Sequence, residues 1–162
     1  MTIPTSSVPL AYAYLVTAIE ANIATDANAD SILLALTENP ADQPDEIIAL
    51  GDVVLDNEIA TMVGSGGQGW LDEIYTIGGM VSVFTGSGPE DGETTVVLTQ
   101  IARAWQLWGY VDTAVRADPS LGDLVTVAFP YDVSQPMAKW TEGDAIGLLV
   151  EITFKIRVTN RS

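Results

Sequence analysis

The chain has 162 residues, 48% of them apolar and 17% charged, with 22 acids against six cations for a net charge of −16. That composition belongs to a folded chain long enough to bury around two thirds of its unfolded surface in one core, not to a disordered one. Neither cysteine nor histidine occurs, which excludes disulfides, thiolate chemistry, Ser-His and Cys-His catalysis, and zinc sites built on either residue.

Ser6 or Ser7 caps a predicted helix that carries Pro9 in its first turn, where the missing N–H costs nothing. Val8, Tyr12, Leu15, Ile19 and Ile23 then recur at helical spacing and predict its core-facing stripe. No basic leader precedes the apolar run from Val8 to Ile19, which Thr17 interrupts and which is too short to span a bilayer. A soluble, unsecreted chain without membrane contact is expected. Asp26 to Asp30 breaks the periodicity, and Ser31 to Thr37 (SILLALT) predicts a buried strand, with a helical continuation as the alternative. Glu38 to Asp45, holding Pro40 and Pro44, reads as an acidic loop and Glu46 to Val53 as the next strand. Asp56 to Val63 fits a short helix or extended chain, and GSGGQG (Gly64, Ser65, Gly66, Gly67, Gln68, Gly69) fits a mobile loop.

Asp72 to Thr85 alternates, with Tyr75, Ile77, Val81 and Val83 on one face, and predicts a long strand in which Gly78 and Gly79 mark a bulge or the close approach of another backbone. A second acidic loop, Ser87 to Glu93, leads into the strongest helical pattern: Val97, Ile101, Trp105, Trp108, Val111 and Val115. Both tryptophans are expected in the core. Asp91 and Glu93 at the start of this helix and Arg116 near its end have the signs its dipole favours, and Pro119 and Gly122 stop it. Leu124 to Phe129 predicts a short strand and Pro130 to Gly143 a long connection. From Ile146 to Val158 every even position is apolar, the signature of a strand with one buried face. Such length predicts an end that projects beyond its sheet and offers unpaired backbone groups to a neighbour. The expected fold is α+β: a mainly antiparallel sheet with two helices packed on it, order α-β-β-β-α-β-β, the last strand unusually long, in a single domain spanning residues 1 to 162.

The glycine-rich segment is not a phosphate loop, because Trp70, Leu71, Asp72 and Glu73 follow it where a Lys-Ser/Thr pair or a helix should open. The adjacent acids Asp72 with Glu73, and Glu90 with Asp91, point to opposite faces of an extended chain rather than toward one scissile bond. Asp52, Asp56 and Glu58 are close enough in sequence to share a calcium ion, but the DxDxDG loop with its terminal glutamate is missing. No cofactor or metal is expected.

Charge is unevenly distributed. The first 102 residues hold 15 acids and no cation; residues 103 to 162 hold six cations (Arg103, Arg116, Lys139, Lys155, Arg157, Arg161) against seven acids, so the two parts stand at −15 and −1. A surface this negative repels phosphate backbones and anionic headgroups. It can still line a passage through which DNA slides. Lys155, Arg157 and Arg161, on and beyond the last strand, are candidates for contact with an acidic patch on a neighbouring subunit.

The segments DEIYTIGGMVSVFTG, TTVVLTQIARAWQLWGYVDTAVRADPSLG and GDAIGLLVEITFKIRVTNR, in that order after an amphipathic helix and two strands, resemble the tail terminator proteins of long-tailed bacteriophages. The resemblance is strongest from Asp72 to Arg161. It implies a non-enzymatic virion protein that forms a homohexameric ring on the head-proximal end of the tail, having assembled in the host cytoplasm. The ring caps the tail tube, stops its polymerisation, and docks onto the head-tail connector while DNA passes through without specific binding. Under this reading Gly64 to Gly69 with Glu90, Asp91 and Glu93 face the tube or lumen, and Lys155, Arg157 and Arg161 make subunit contacts. The rivals are a head-tail connector or tail tube protein and, from another class, a calcium-dependent binding module or carboxylate hydrolase. Millimolar calcium is expected to leave the melting temperature unchanged; a strong rise would mark the calcium-dependent module instead.

Overall fold

The computed structural model describes residues 6–36, 45–56, 58–59, 71–85, 94–136, 139–141 and 147–161. The elements run α1 (Val8–Ile23), a 3-10 turn (Ala29–Ser31), β1 (Ile32–Ala35), β2 (Glu46–Leu55), β3 (Glu58–Ile59), β4 (Leu71–Thr85), α2 (Thr94–Ala117), β5 (Val127–Ser134), β6 (Lys139–Thr141) and β7 (Gly147–Arg161). One sheet holds every strand in the order β1-β2-β4-β7-β5, with β3 beside β4 and β6 beside β7. Pairing is antiparallel except between β1 and β2, where Ile32 lies beside Glu46. The fold is thus α+β with two helices on a mainly antiparallel sheet. The one parallel pair is the exception within the mainly antiparallel sheet expected, and side-chain alternation, which carries no information about strand direction, does not locate it. The ten residues between Ala35 and Glu46 are long enough to return past a four-residue strand.

The alternation of the last strand holds: Leu148, Val150, Ile152, Phe154, Ile156 and Val158 are all buried. Its predicted projection does not. β7 is paired on one side with β4 from Asp72↔Arg161 to Thr85↔Leu148, and on the other with β5 and β6. It is a central strand, and its length is matched by an equally long partner. The long connection expected after Phe129 is likewise corrected, because β5 continues to Ser134 and Lys139–Thr141 returns to pair with Gly147–Leu149. Pro130 lies within β5, which its position on the sheet edge allows.

Both helices pack on the face that carries these even-numbered β7 residues. The buried stripe of α1 is Ala11, Leu15, Ile19 and Ile23, with Tyr12 half-buried and donating its hydroxyl to the Leu50 carbonyl at 3.0 Å. That of α2 is Ala104, Leu107, Trp108, Val111, Ala114 and Val115. Trp105 is therefore not in the core. It is 40% exposed, and its indole N–H donates to Gln135 at 2.7 Å. The alanines decide this: small side chains let a helix approach its neighbour closely, and the larger Trp105 is rotated outward beside them. Trp108 remains inside against Phe154, ring centroids 4.8 Å apart.

The serines at the start of α1 do different work from a helix cap. Ser6 accepts the Val8 N–H at 3.2 Å, while buried Ser7 makes no side-chain cap bond. Its N–H and hydroxyl both donate to the Glu73 carboxylate, and its hydroxyl lies 3.1 Å from that of Tyr75. The start of α1 is thereby tied to β4. Burial pushes the Glu73 carboxyl up, but the bonds from Ser7 outweigh it and hold it below its ordinary value.

The other end of α1 is fixed by one guanidinium. Arg103 of α2 donates to both oxygens of Asp26 at 2.8 and 3.1 Å and, through Nε and Nη2, to Glu46 at 2.6 to 3.1 Å. Tyr110 adds a short bond to Asp26, whose side chain is 2% exposed. Bonds from Arg103 and then Tyr110 hold the Asp26 carboxyl far below the usual range, and the same acids hold the guanidinium proton well above its own. Three segments, namely the turn after α1, the start of β2 and the middle of α2, meet at this one cation.

Two close approaches also bear on the sheet. A Cβ at Gly79 would meet the Phe154 ring and lie 2.6 Å from the Ala49 carbonyl, whereas one at Gly78 would meet only ordinary contact, so Gly79 marks the close approach, while the bulge falls opposite in β2, between Leu50 and Val53. Gly79→Ala is expected to destabilise by about 1–3 kcal/mol through overpacking, read as a melting temperature lower by roughly 5 °C. Arg103→Ala leaves two acids without their partner and is expected to cost about 3 kcal/mol. Because the folded-state pKa of Asp26 is depressed, its contribution is complete above the unfolded value, near 4, and is lost as pH falls below it. The melting temperatures of wild type and Asp26→Asn should therefore differ most above pH 5 and converge toward pH 2.

Candidate assembly surface

The face of the sheet opposite the helices carries the odd-numbered residues of β7. Lys155, Arg157 and Arg161 share it, spread over about 20 Å at the usual strand rise. Arg157 is flanked by Phe129 of β5 and Thr76 of β4, and Lys155 by Tyr131 and Gly78. Phe129 is 43% exposed and packs at a tilt on Tyr131, with centroids 6.4 Å apart. Two strands further across, opposite Thr76, Val54 is 61% exposed. The row is thus a set of cations rimmed by apolar side chains.

The cations differ in how far they are already satisfied. Lys155 pairs with Asp132 at 3.1 Å, both side chains at least half exposed, and the bond and charge of Asp132, followed by the charge of Tyr131, raise the Lys155 pKa. Arg116 pairs with Asp112 one turn earlier in α2. The Arg161 N–H donates to the Thr126 hydroxyl at 2.9 Å. Among the described residues Arg157 has no ion-pair partner.

Beside this row the open edge of the sheet is closed to further strands. The Ala128 N–H, which points away from β7, is taken by the Pro119 carbonyl at 2.7 Å. Pro130, two positions on, has no N–H, and near Asp132, at φ 52°, the register with β7 shifts. Each device is one by which natural sheets refuse edge-to-edge pairing. The connection that covers Ala128 is itself held in an uncommon form: Leu121, Gly122 and Asp123 all have φ between 50° and 71°. Such left-handed positions persist in residues other than glycine only where the surroundings fix them. Here Leu121 is fully buried, and the Asp118 carboxylate accepts bonds from the hydroxyl and N–H of Ser120, the Gly122 N–H and the Tyr14 hydroxyl. These bonds, that of the Ser120 hydroxyl first, hold the Asp118 pKa below its ordinary value.

The loop residues expected at a tube or lumen (Gly64, Ser65, Gly66, Gly67, Gln68, Gly69, Glu90, Asp91 and Glu93) lie outside the described residues, as does Lys139 beyond its backbone. The two acids Asp52 and Asp56 are exposed, and among the described residues no three acids gather as a metal site. Of the paired acids, Glu73 is occupied by Ser7. Sequence reasoning missed Arg103 as the link between segments; its one signal was position, since it is the first cation after 102 residues without one. Among the described residues no helix is long and apolar enough to cross a membrane.

No family model matches the chain, and no curated protein matches it. Among solved structures, it is similar to a chain in the virion of a native gene transfer agent particle, at 11% identity and a TM-score of 0.37, over 89% of this chain and 93% of that one.

Proposed function

We propose that this chain is a non-enzymatic structural protein of a virion, a single domain of the tail terminator kind. It forms a homohexameric ring at the head-proximal end of a tail, caps the tail tube and offers the surface to which a head-tail connector docks. The observation that carries this reading is the arrangement of residues 72 to 161, the stretch in which the sequence resembles that family. β4 and β7 pair along their full lengths, α2 lies over them, and β5 follows the left-handed turn within ADPSLGDLVTVAF. These segments form one continuous unit. The absence of histidine and cysteine supports a role without chemistry. The net charge of −16 supports a channel that DNA passes without being held.

In this reading Gly64 to Gly69 with Glu90, Asp91 and Glu93 face the tube or the lumen, and the Lys155, Arg157 and Arg161 row makes subunit contacts. Negative-stain microscopy of the purified protein is expected to show single rings, and with tail tubes present, caps at one tube end. Long tubes formed by the protein alone would assign it to the tube instead. Charge reversal at Lys155 and Arg157 together is expected to delay elution in size-exclusion chromatography; unchanged elution removes the cation row from the interface.

A further inference from the structure

The charge split along the sequence is also a split across the sheet. β1 to β4 all precede Arg103 and form one contiguous side; β5 to β7 all follow it and form the other, so the boundary runs between β4 and β7. One side comes from the part with 15 acids and no cation, the other from the part with six cations and seven acids. We propose that copies of this chain join head to tail along this polarity, the corner of β5 and β7 around Phe129 and Arg157 of one copy seated on the corner of β1 and β2 around Asp30 and Asp45 of the next. The proposal rests on the ring reading above and names the two surfaces through which the ring closes.

Each corner has the character the other needs. At the first, Arg157 has no ion-pair partner among the described residues and is rimmed by exposed Phe129 and, next to it on the same face of β5, exposed Val127. At the second, Asp30 lies two residues before β1 and Asp45 immediately before β2, and the parallel pairing of Ile32 with Glu46 puts the starts of both strands at the same end of the sheet. Both are exposed and neither is ion-paired among the described residues, because the nearby cation, Arg103, is spent on Asp26 and Glu46. Leu36, just past β1, adds an exposed apolar side chain.

Their placement decides the symmetry. Glu46 is level with Val83 and Val150, whereas Arg157 is level with Thr76, so the corners are about 23 Å apart along the strands, and their outer strands, β1 and β5, are about 19 Å apart across the sheet. Unlike patches at opposite corners give a heterologous contact, which repeats until a ring closes. Pairing of like with like would press one acidic side against another, which repulsion opposes. The closed edge of β5 leaves the contact to side chains rather than to shared backbone pairing.

Two variants test this, Phe129→Ser with Arg157→Glu and Asp30→Arg with Asp45→Arg, each compared with wild type by circular dichroism and weighed by mass photometry alone and in an equal mixture. All four positions are exposed or half-exposed; should either pair fail to fold, Arg157→Glu and Asp45→Arg alone replace them. Each variant alone is expected to be monomeric, with association weakened at least 100-fold. The mixture should recover the wild-type mass, since reversed and native corners then match around an alternating ring. Variants that keep the wild-type mass, or that lose it and do not recover on mixing, overturn the proposal while leaving the ring reading in place. A wild type that is itself monomeric overturns both.

Discussion

With six cations to answer 22 acids, the fold depends on where the first of them is placed. Arg103 is the point at which the acidic first part of the chain is fastened to the second, because its fork meets Asp26 and Glu46 at once. A planar guanidinium suits this; the point charge of a lysine could not bond two carboxylates along separate edges. The network adds little stability over an apolar cluster of the same size, since each group gave up water to enter it, but losing any one member would strand the others. Its main effect is positional. With the turn after α1 and the start of β2 held to the same turn of α2, the alanine-lined stripes of both helices have one way to lie on the sheet.

Much of this architecture is legible in the sequence where one physical signal acts alone. The alternation of β7 is readable because one face is buried along its whole length, and of the Gly78–Gly79 pair Gly79 makes the close backbone approach, to the Ala49 carbonyl. What was hidden depended on partners. Helical spacing places Trp105 in the core, yet Ala104 and Ala114 define the buried stripe, and small residues leave a weak mark in a hydrophobic pattern. Direction of pairing, as in β1, and centrality, as in β7, are properties of the sheet and not of any one strand. The cation row is legible as a set of residues, but the apolar rim from Phe129 follows from register, and the closed edge beside it from the Ala128–Pro119 bond and Pro130.

Three carboxylates among the described residues hold the chain together. Glu73 receives Ser7, Asp26 receives Arg103 and Tyr110, and Asp118 receives four donors around a left-handed turn. Carboxylates so fully bonded are kept ionised and fixed in place, the opposite of a general acid, which must keep a proton near neutral pH.

The central position of β7 has a consequence for how the chain is made. Its rungs with β4 join residues between 63 and 89 positions apart, and contacts that distant close slowly because the intervening chain must first be gathered. β7 leaves the ribosome after β4 and both helices. Until it emerges, β4 has a bare edge 15 residues long and the apolar face beneath both helices lacks its middle. The nascent chain is then most open to wrong pairing, with other copies or with chaperones. β7 completes the core, so truncations that reach into it should be far more damaging than their length implies.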